Sequence, residues 1–140
     1  IIIIIIKSFD NIFQVPDGPP LNVKGNAESS TEIKVSWDSP PKNTWNGNLL
    51  GYYVGYKENL LYHVTTSILN SSSKYINNYN FKTVDKISEF EEEIILEKLN
   101  KYTTYSIIVQ AFNSKGSGPA SEPILIRTKE DGNYINNNKL

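Results

Sequence analysis

The chain has 140 residues, the usual size of a single domain, and 39% of them are hydrophobic, so we expect a folded globular unit. The formal net charge is −1, so the chain lacks the strong positive charge that nucleic-acid binding requires. The sequence contains no cysteine and a single histidine, His63, which excludes disulfides, thiol catalysis and metal sites built from several Cys or His residues. We therefore expect a non-catalytic protein without cofactor, metal ion or nucleic-acid partner.

The two ends differ in character from the middle of the chain. Ile1–Ile6 is far shorter than the ~20 apolar residues that span a bilayer. We predict an unstructured leader over residues 1–15, with the end of a signal peptide as the alternative for Ile1–Ile6, and a disordered polar tail over 132–140. The sequence also lacks Met. We therefore expect a segment of a longer protein. Because Ile1–Ile6 is too short to span a bilayer, we also expect that this segment makes no direct membrane contact itself.

Between the ends, apolar and polar residues alternate with a period of two, which is typical of half-buried β-strands. In chain order the alternation covers residues 31–37, 52–57, 92–96, 105–111 and 124–127. Turn-forming residues separate these segments, among them Pro40-Pro41, Asn46-Gly47 and Gly116–Pro119. Short strands separated by turns predict an all-β antiparallel sandwich or barrel.

The predicted core consists of the apolar and aromatic residues on the inward side of these strands. Burial of such side chains contributes ~1.5–3 kcal/mol each, which offsets chain entropy without disulfides. The expected members are Leu21, Val23, Ile33, Val35, Trp37, Tyr52, Val54, Tyr56, Ile94, Leu96, Leu99, Tyr105, Ile107, Val109, Ala111, Ile124 and Ile126.

Several spacings together resemble a fibronectin type III domain over residues 16–131. They are Pro19-Pro20 before the first strand, Trp37, Gly51–Tyr56, the interval from Leu99 to Tyr105, and Ala111–Asn113 followed by Gly116 and Gly118. The resemblance implies an immunoglobulin-like β-sandwich of seven antiparallel strands. It also implies that Trp37, Tyr52, Leu99 and Tyr105 are structural core residues, with the Tyr105 hydroxyl bonded to upstream backbone in a tyrosine corner.

A narrower resemblance links the chain to the Down syndrome cell adhesion molecule family. It rests on Asp17–Pro20, on Gly51-Tyr52 with Gly55-Tyr56, on Val109–Asn113 and on Lys129–Asp131. The resemblance implies the extracellular part of a plasma-membrane receptor that acts in cell–cell recognition and axon guidance. The resemblance implies that the partners are cell-surface adhesion molecules, which include a second copy of the same receptor if recognition is homophilic. The alternatives are a fibronectin domain of another receptor, or an accessory spacer of a receptor phosphatase or a secreted hydrolase.

Residues 59–78 depart most from this pattern. A hairpin loop normally has ~2–5 residues, so this segment is an insertion between the third strand and a strand at Tyr79–Val84. It is either a lineage-specific insertion or translated intron sequence, and the foreign character of both termini favours the second. Asn70-Ser71-Ser72 is a sequon, so Asn70 is a candidate glycosylation site if the chain enters the secretory pathway.

Two loops are candidate interface regions. Trp45 lies beside Asn46-Gly47, and an exposed Trp at a loop tip indicates a protein contact. Lys115 lies in Asn113–Pro119, which lacks the Gly-Lys-Ser/Thr ending of a phosphate-binding loop, so we expect a hairpin turn there.

Two further features are interpreted as surface residues without a catalytic or metal-binding role. The carboxylates of Glu89, Glu91, Glu92 and Glu93 fall at one strand end, where we expect them to be solvated and unpaired and to bind no calcium. His63 has no neighbouring residues that would complete a nucleophilic set, so we expect a surface histidine.

Overall fold

The computed structural model describes residues 14–59, 79–87 and 91–132, and within these residues it contains eight β-strands. One short 3-10 helix, Lys42–Thr44, lies in the loop between the second and third strands. The strands, in chain order, are β1 Leu21–Ala27, β2 Ile33–Asp38, β3 Gly51–Glu58, β4 Asn80–Asp85, β5 Glu91–Leu96, β6 Thr104–Asn113, β7 Gly116–Ala120 and β8 Ile124–Arg127.

The strands form two antiparallel sheets. The first sheet has the order β1-β2-β5, and the second has the order β4-β3-β6-β7, with β8 also paired to β6. Strands that are neighbours in the second sheet, such as β3 and β6, are far apart in sequence, as in a Greek-key sandwich. This arrangement confirms the predicted immunoglobulin-like sandwich.

The predicted seven strands are present, and the structure adds one detail at the C-terminal end. The last strand is divided into β7 and β8, both of which pair with β6. At the break, the Ser121 hydroxyl accepts a hydrogen bond from the Val109 N–H at 3.0 Å, in a place where a strand would use backbone. Pro123 follows and has no N–H to donate, so the ladder resumes only at Ile124.

The core lies between the two sheets and contains inward-facing residues of both. Trp37 on β2 is 1% exposed, and its ring meets the ring of Tyr52 on β3 edge to face at 5.3 Å. Leu99 and Tyr105 are also buried, at 6% and 4% exposure. The other buried apolar members are Ile33, Val35, Leu49, Val54, Leu96, Ile107, Val109 and Ala111.

Five expected core members are only partly buried and pack against the buried cluster: Val23, Tyr56, Ile94, Ile124 and Ile126. Two further positions differ more strongly from the expected core. Leu21 is 43% exposed, because Asn22 has a positive φ of 50° and the register of β1 against β2 shifts between Leu21 and Lys24. Leu49 was not expected in the core but is 7% exposed. It lies in the loop before β3, where no alternation marks it.

Several sequence-based expectations lie outside the described residues. They are the structural state of residues 1–13, 60–78 and 133–140, the candidate glycosylation site Asn70, and the side chains of His63 and Glu89.

Trp37 allows a test of the core. Trp37→Ala should lower the free energy of unfolding by about 3–5 kcal/mol, the usual effect of deleting a buried aromatic ring. In the described part of the chain the Trp37 indole nitrogen has no hydrogen-bond partner, so Trp37→Phe removes an unsatisfied donor together with some volume. Trp37→Phe should therefore cost less than half as much as Trp37→Ala. Urea titration measures both values, and a midpoint for Trp37→Ala close to wild type would contradict the assignment.

Candidate interaction surfaces

The loop between β2 and β3 places Trp45 differently from the sequence-based expectation. Its indole Nε1 donates a hydrogen bond to the Pro40 carbonyl at 2.7 Å, and its ring packs against the core. The ammonium groups of Lys86 and Lys42 lie 5.3 and 5.9 Å from the ring centroid. Trp45 is therefore a partly buried loop anchor, and the expectation of an exposed tryptophan is wrong.

Lys115 lies at the tip of the hairpin between β6 and β7 and is exposed. Its backbone N–H donates to the side-chain Oδ1 of Asn113 at 2.8 Å, and Gly116 has a φ of 139° that completes the tight turn. The predicted hairpin at this position is confirmed by the pairing of Asn113 with Gly116.

The outer surface of the second sheet carries a set of apolar side chains that the sequence analysis did not single out. We call this set the aromatic face, and it consists of Tyr53, Phe81, Ile108, Phe112 and Leu125. Phe81 and Leu125 are 52% and 57% exposed. A sheet face turned to solvent is normally polar, so these side chains mark a surface that is suited to protein contact.

Two glycines on β3 allow the rings of the aromatic face to lie close to the sheet. A Cβ atom at Gly55 would lie 2.7 Å from the Phe81 ring, and one at Gly51 would lie 2.9 Å from the Phe112 ring. The Phe112 ring also stacks on Tyr53, with centroids 4.5 Å apart and an interplanar angle of 20°. The rings of Phe81 and Phe112 therefore lie close to the β3 backbone, where a larger residue would displace them.

Polar side chains lie along one edge of the aromatic face. The Tyr79 hydroxyl and the Ser106 hydroxyl are 3.0 Å apart, and the Lys57 ammonium lies 4.5 Å from the centre of the Tyr79 ring. An apolar centre with a polar rim is the usual composition of a protein–protein interface.

The acidic residues of β5 need a correction. Glu93 lies on the outer surface of the first sheet, whereas Glu92 lies on the inward side, opposite Trp37 on β2. Glu93 Oε2 lies 2.6 Å from the Lys34 ammonium, and the hydrogen bond and charge of Glu93 raise the pKa of Lys34. Glu92 is 5% exposed and accepts a hydrogen bond from the Ile87 N–H at 2.9 Å. Both residues therefore have partners, which contradicts the expectation of unpaired carboxylates. The expectation of solvation is wrong for Glu92, whereas the Glu93 side chain is 61% exposed.

Tyr105 forms the expected tyrosine corner. Its hydroxyl accepts a hydrogen bond from the Asn100 N–H at 2.8 Å, and it lies 3.5 Å from a carboxylate oxygen of Glu58. Burial, followed by the negative charge of Glu58, raises the pKa of the Tyr105 phenol, although the Asn100 hydrogen bond opposes the shift. These contacts give Tyr105 a structural role.

No group of three or more His, Cys, Asp or Glu residues in the described part of the chain is placed to hold a metal ion. The same residues include no helix long and apolar enough to cross a membrane.

Comparison with known folds defines the class. The family model of the Fibronectin type III domain matches residues 18–127. The fifth fibronectin domain of Drosophila Lar is 28% identical, with a TM-score of 0.57 over 81% of this chain and 97% of that one. The FN1–FN3 domains of chicken CNTN1 are also 28% identical, with a TM-score of 0.59 over 83% of this chain and 32% of that one. The chain belongs to the fibronectin type III family.

Within that family, the chain is similar to cell adhesion molecules of the Dscam group, as the residue motifs indicated. It is 40% identical over 111 residues to cell adhesion molecule Dscam1 of Drosophila melanogaster, which covers 78% of this chain. It is 36% identical over 117 residues to human cell adhesion molecule DSCAM, which covers 83% of this chain. The match spans about 5% of the length of each relative.

The two buried tyrosines, Tyr52 and Tyr105, predict how stability depends on pH. Burial raises the pKa of both phenols above that of the unfolded chain, which is about 10. Because the folded state disfavours the ionised phenols, this contribution to stability is complete below pH ~10 and is lost as the pH rises through the folded pKa values.

Tyr105→Phe tests this dependence. At pH 7 the free energy of unfolding of the variant should be about 1–2 kcal/mol lower, because the hydrogen bond to the Asn100 N–H is lost. Above pH 10 the stability of the variant should decline less steeply than that of wild type, because one buried phenol is absent. Urea titrations from pH 7 to 11 measure both effects. Equal slopes above pH 10 in the two proteins would contradict the assignment.

Proposed function

We propose that this chain is a non-catalytic binding and spacing module in the extracellular part of a plasma-membrane adhesion receptor, where it contributes to cell–cell recognition and axon guidance. The partners are other cell-surface adhesion proteins. The proposal is supported by the 40% identity to a cell adhesion molecule over 78% of the chain. A module of this kind needs a folded sandwich and an exposed surface for its partner, and the β-sandwich with its exposed aromatic face supports the proposal.

The aromatic face is the surface that best supports the binding part of this proposal. Half-exposed aromatic side chains bury large areas on contact, and those of Tyr53 and Phe112 are already fixed by stacking. A partner that covers Tyr53 and Phe112 therefore gains apolar contact at a small cost in side-chain entropy. Phe81 and Leu125 add the most exposed apolar area of the face.

The proposal is tested by cell aggregation with the parent receptor. Phe81→Ser combined with Leu125→Ser should reduce aggregation at least tenfold, because it removes the two most exposed apolar side chains of the face. Ile95→Ser is the matched control, since Ile95 is 47% exposed but lies on the outer surface of the first sheet. Thermal melts confirm that all variants fold.

Three outcomes separate binding from spacing. Loss of aggregation in the Phe81/Leu125 variant alone supports direct contact through the aromatic face. Unchanged aggregation in every variant, with loss when the module is deleted, leaves the spacing role and overturns the binding role. If deletion of the module has no effect, the adhesion proposal as a whole is wrong. Mixing receptor-bearing cells with receptor-free cells shows in the same assay whether recognition is homophilic.

The alternative is an accessory spacer in a receptor phosphatase or a secreted hydrolase. It requires a catalytic domain in the parent protein beside this module. Reading the flanking coding sequence distinguishes the two, since immunoglobulin repeats support the adhesion receptor.

A further inference from the structure

Residues 14–18, which we call the lead-in segment, lie in a slot at one end of the sandwich. The walls of the slot are the β2–β3 loop and the hairpin between β6 and β7. Pro16 is fully buried there, and Gly18 is also buried. A segment that precedes the first strand is usually exposed, so its burial calls for a specific set of contacts.

Two buried asparagine side chains hold the lead-in segment by its backbone carbonyls. Asn46 Nδ2 donates to the Val15 carbonyl at 2.9 Å, and Asn113 Nδ2 donates to the Gln14 carbonyl at 2.8 Å. Both side chains are almost fully buried, at 6% and 5% exposure. A third bond runs from the Asp17 N–H to the Thr44 carbonyl at 2.8 Å.

These asparagines are costly to bury without partners. An unpaired polar group in the interior loses its hydrogen bonds to water. The lead-in segment replaces these bonds with the Val15 carbonyl for Asn46 and the Gln14 carbonyl for Asn113. Asn46 also has a positive φ of 49°, a conformation that asparagine tolerates better than most residues. Asn113 additionally donates toward the Trp45 and Asn46 carbonyls at 3.1 and 3.3 Å, so it joins both walls of the slot to the segment.

The slot also fits the segment by shape. A Cβ atom at Gly118 would lie 2.5 Å from the Pro16 carbonyl oxygen, and one at Gly18 would lie 2.5 Å from the Thr44 hydroxyl. The proline ring fixes φ, so little backbone freedom is lost when the segment docks. Shape and hydrogen bonds thus select one path for the chain.

We propose that this slot is a fixed joint, which holds residues 14–18 on one path and so fixes the direction in which the backbone enters the sandwich at Gln14. The slot between the two loops is filled by the protein's own chain. Asn46 and Asn113 are the positioning residues of the joint.

The joint is tested in the full 140-residue chain by NMR. Backbone order parameters of residues 15, 17 and 18 should equal those of the sheets, about 0.85, whereas a loose segment gives values below ~0.6. Asn113→Asp replaces the donor with a carboxylate that faces carbonyl oxygens, so the Asp17 amide should exchange with solvent at least tenfold faster. Gly118→Ala should have the same effect by displacing Pro16 without a charge change.

Matched controls are Asn48→Asp, an exposed site in the same loop, and Ser117→Ala, an exposed neighbour of Gly118. The Asn100 amide, which is bonded to the Tyr105 hydroxyl, reports whether the sandwich is intact. Faster Asp17 exchange in both slot variants, with slow Asn100 exchange and silent controls, supports the joint. Wild-type order parameters below ~0.6, or unchanged Asp17 exchange in folded Gly118→Ala, would overturn it. If Asn113→Asp does not fold, these two measurements decide the question.

Discussion

The contact between Trp37 and Tyr52 is the interaction on which the rest of the sandwich depends. It joins β2 of the first sheet to β3 of the second. An immunoglobulin domain normally links its two sheets with a disulfide, and this chain has no cysteine. The sheets are therefore held together by non-covalent contacts, and large rings provide much of the contact area. The Tyr52 hydroxyl meets the Ser39 hydroxyl at 2.6 Å, which satisfies its polar end and fixes the ring toward the tryptophan.

The strands and the core could be predicted from sequence because both depend on local alternation. Ile33, Val35 and Trp37 alternate with polar neighbours, so their burial follows from the geometry of an extended chain. Loop positions such as Trp45 and Leu49 lack this signal, because their burial depends on how a loop folds back over the sheet edge. The prediction that Leu21 is buried was wrong for a related reason, since the positive φ of Asn22 interrupts the alternation at this point of β1.

The candidate surfaces were harder to anticipate than the core. Asn113 and Gln14 are bonded although they are 99 residues apart, and no periodic pattern relates two positions across that separation. The aromatic face did leave a signal, because Tyr53, Ile108 and Phe112 occupy outward positions that a solvated sheet would fill with polar residues. Reading both sides of each alternating segment, and not only its inward side, would have identified them.

The break between β7 and β8 limits how the outer edge of the second sheet can pair with another molecule. A long regular edge strand exposes a row of backbone groups that can pair with the edge of another molecule. Here the edge consists of pieces of five and four residues, and prolines at Pro119 and Pro123 remove two donors from it. The outer strand is thereby a poor template for extension of this sheet by a strand of another molecule.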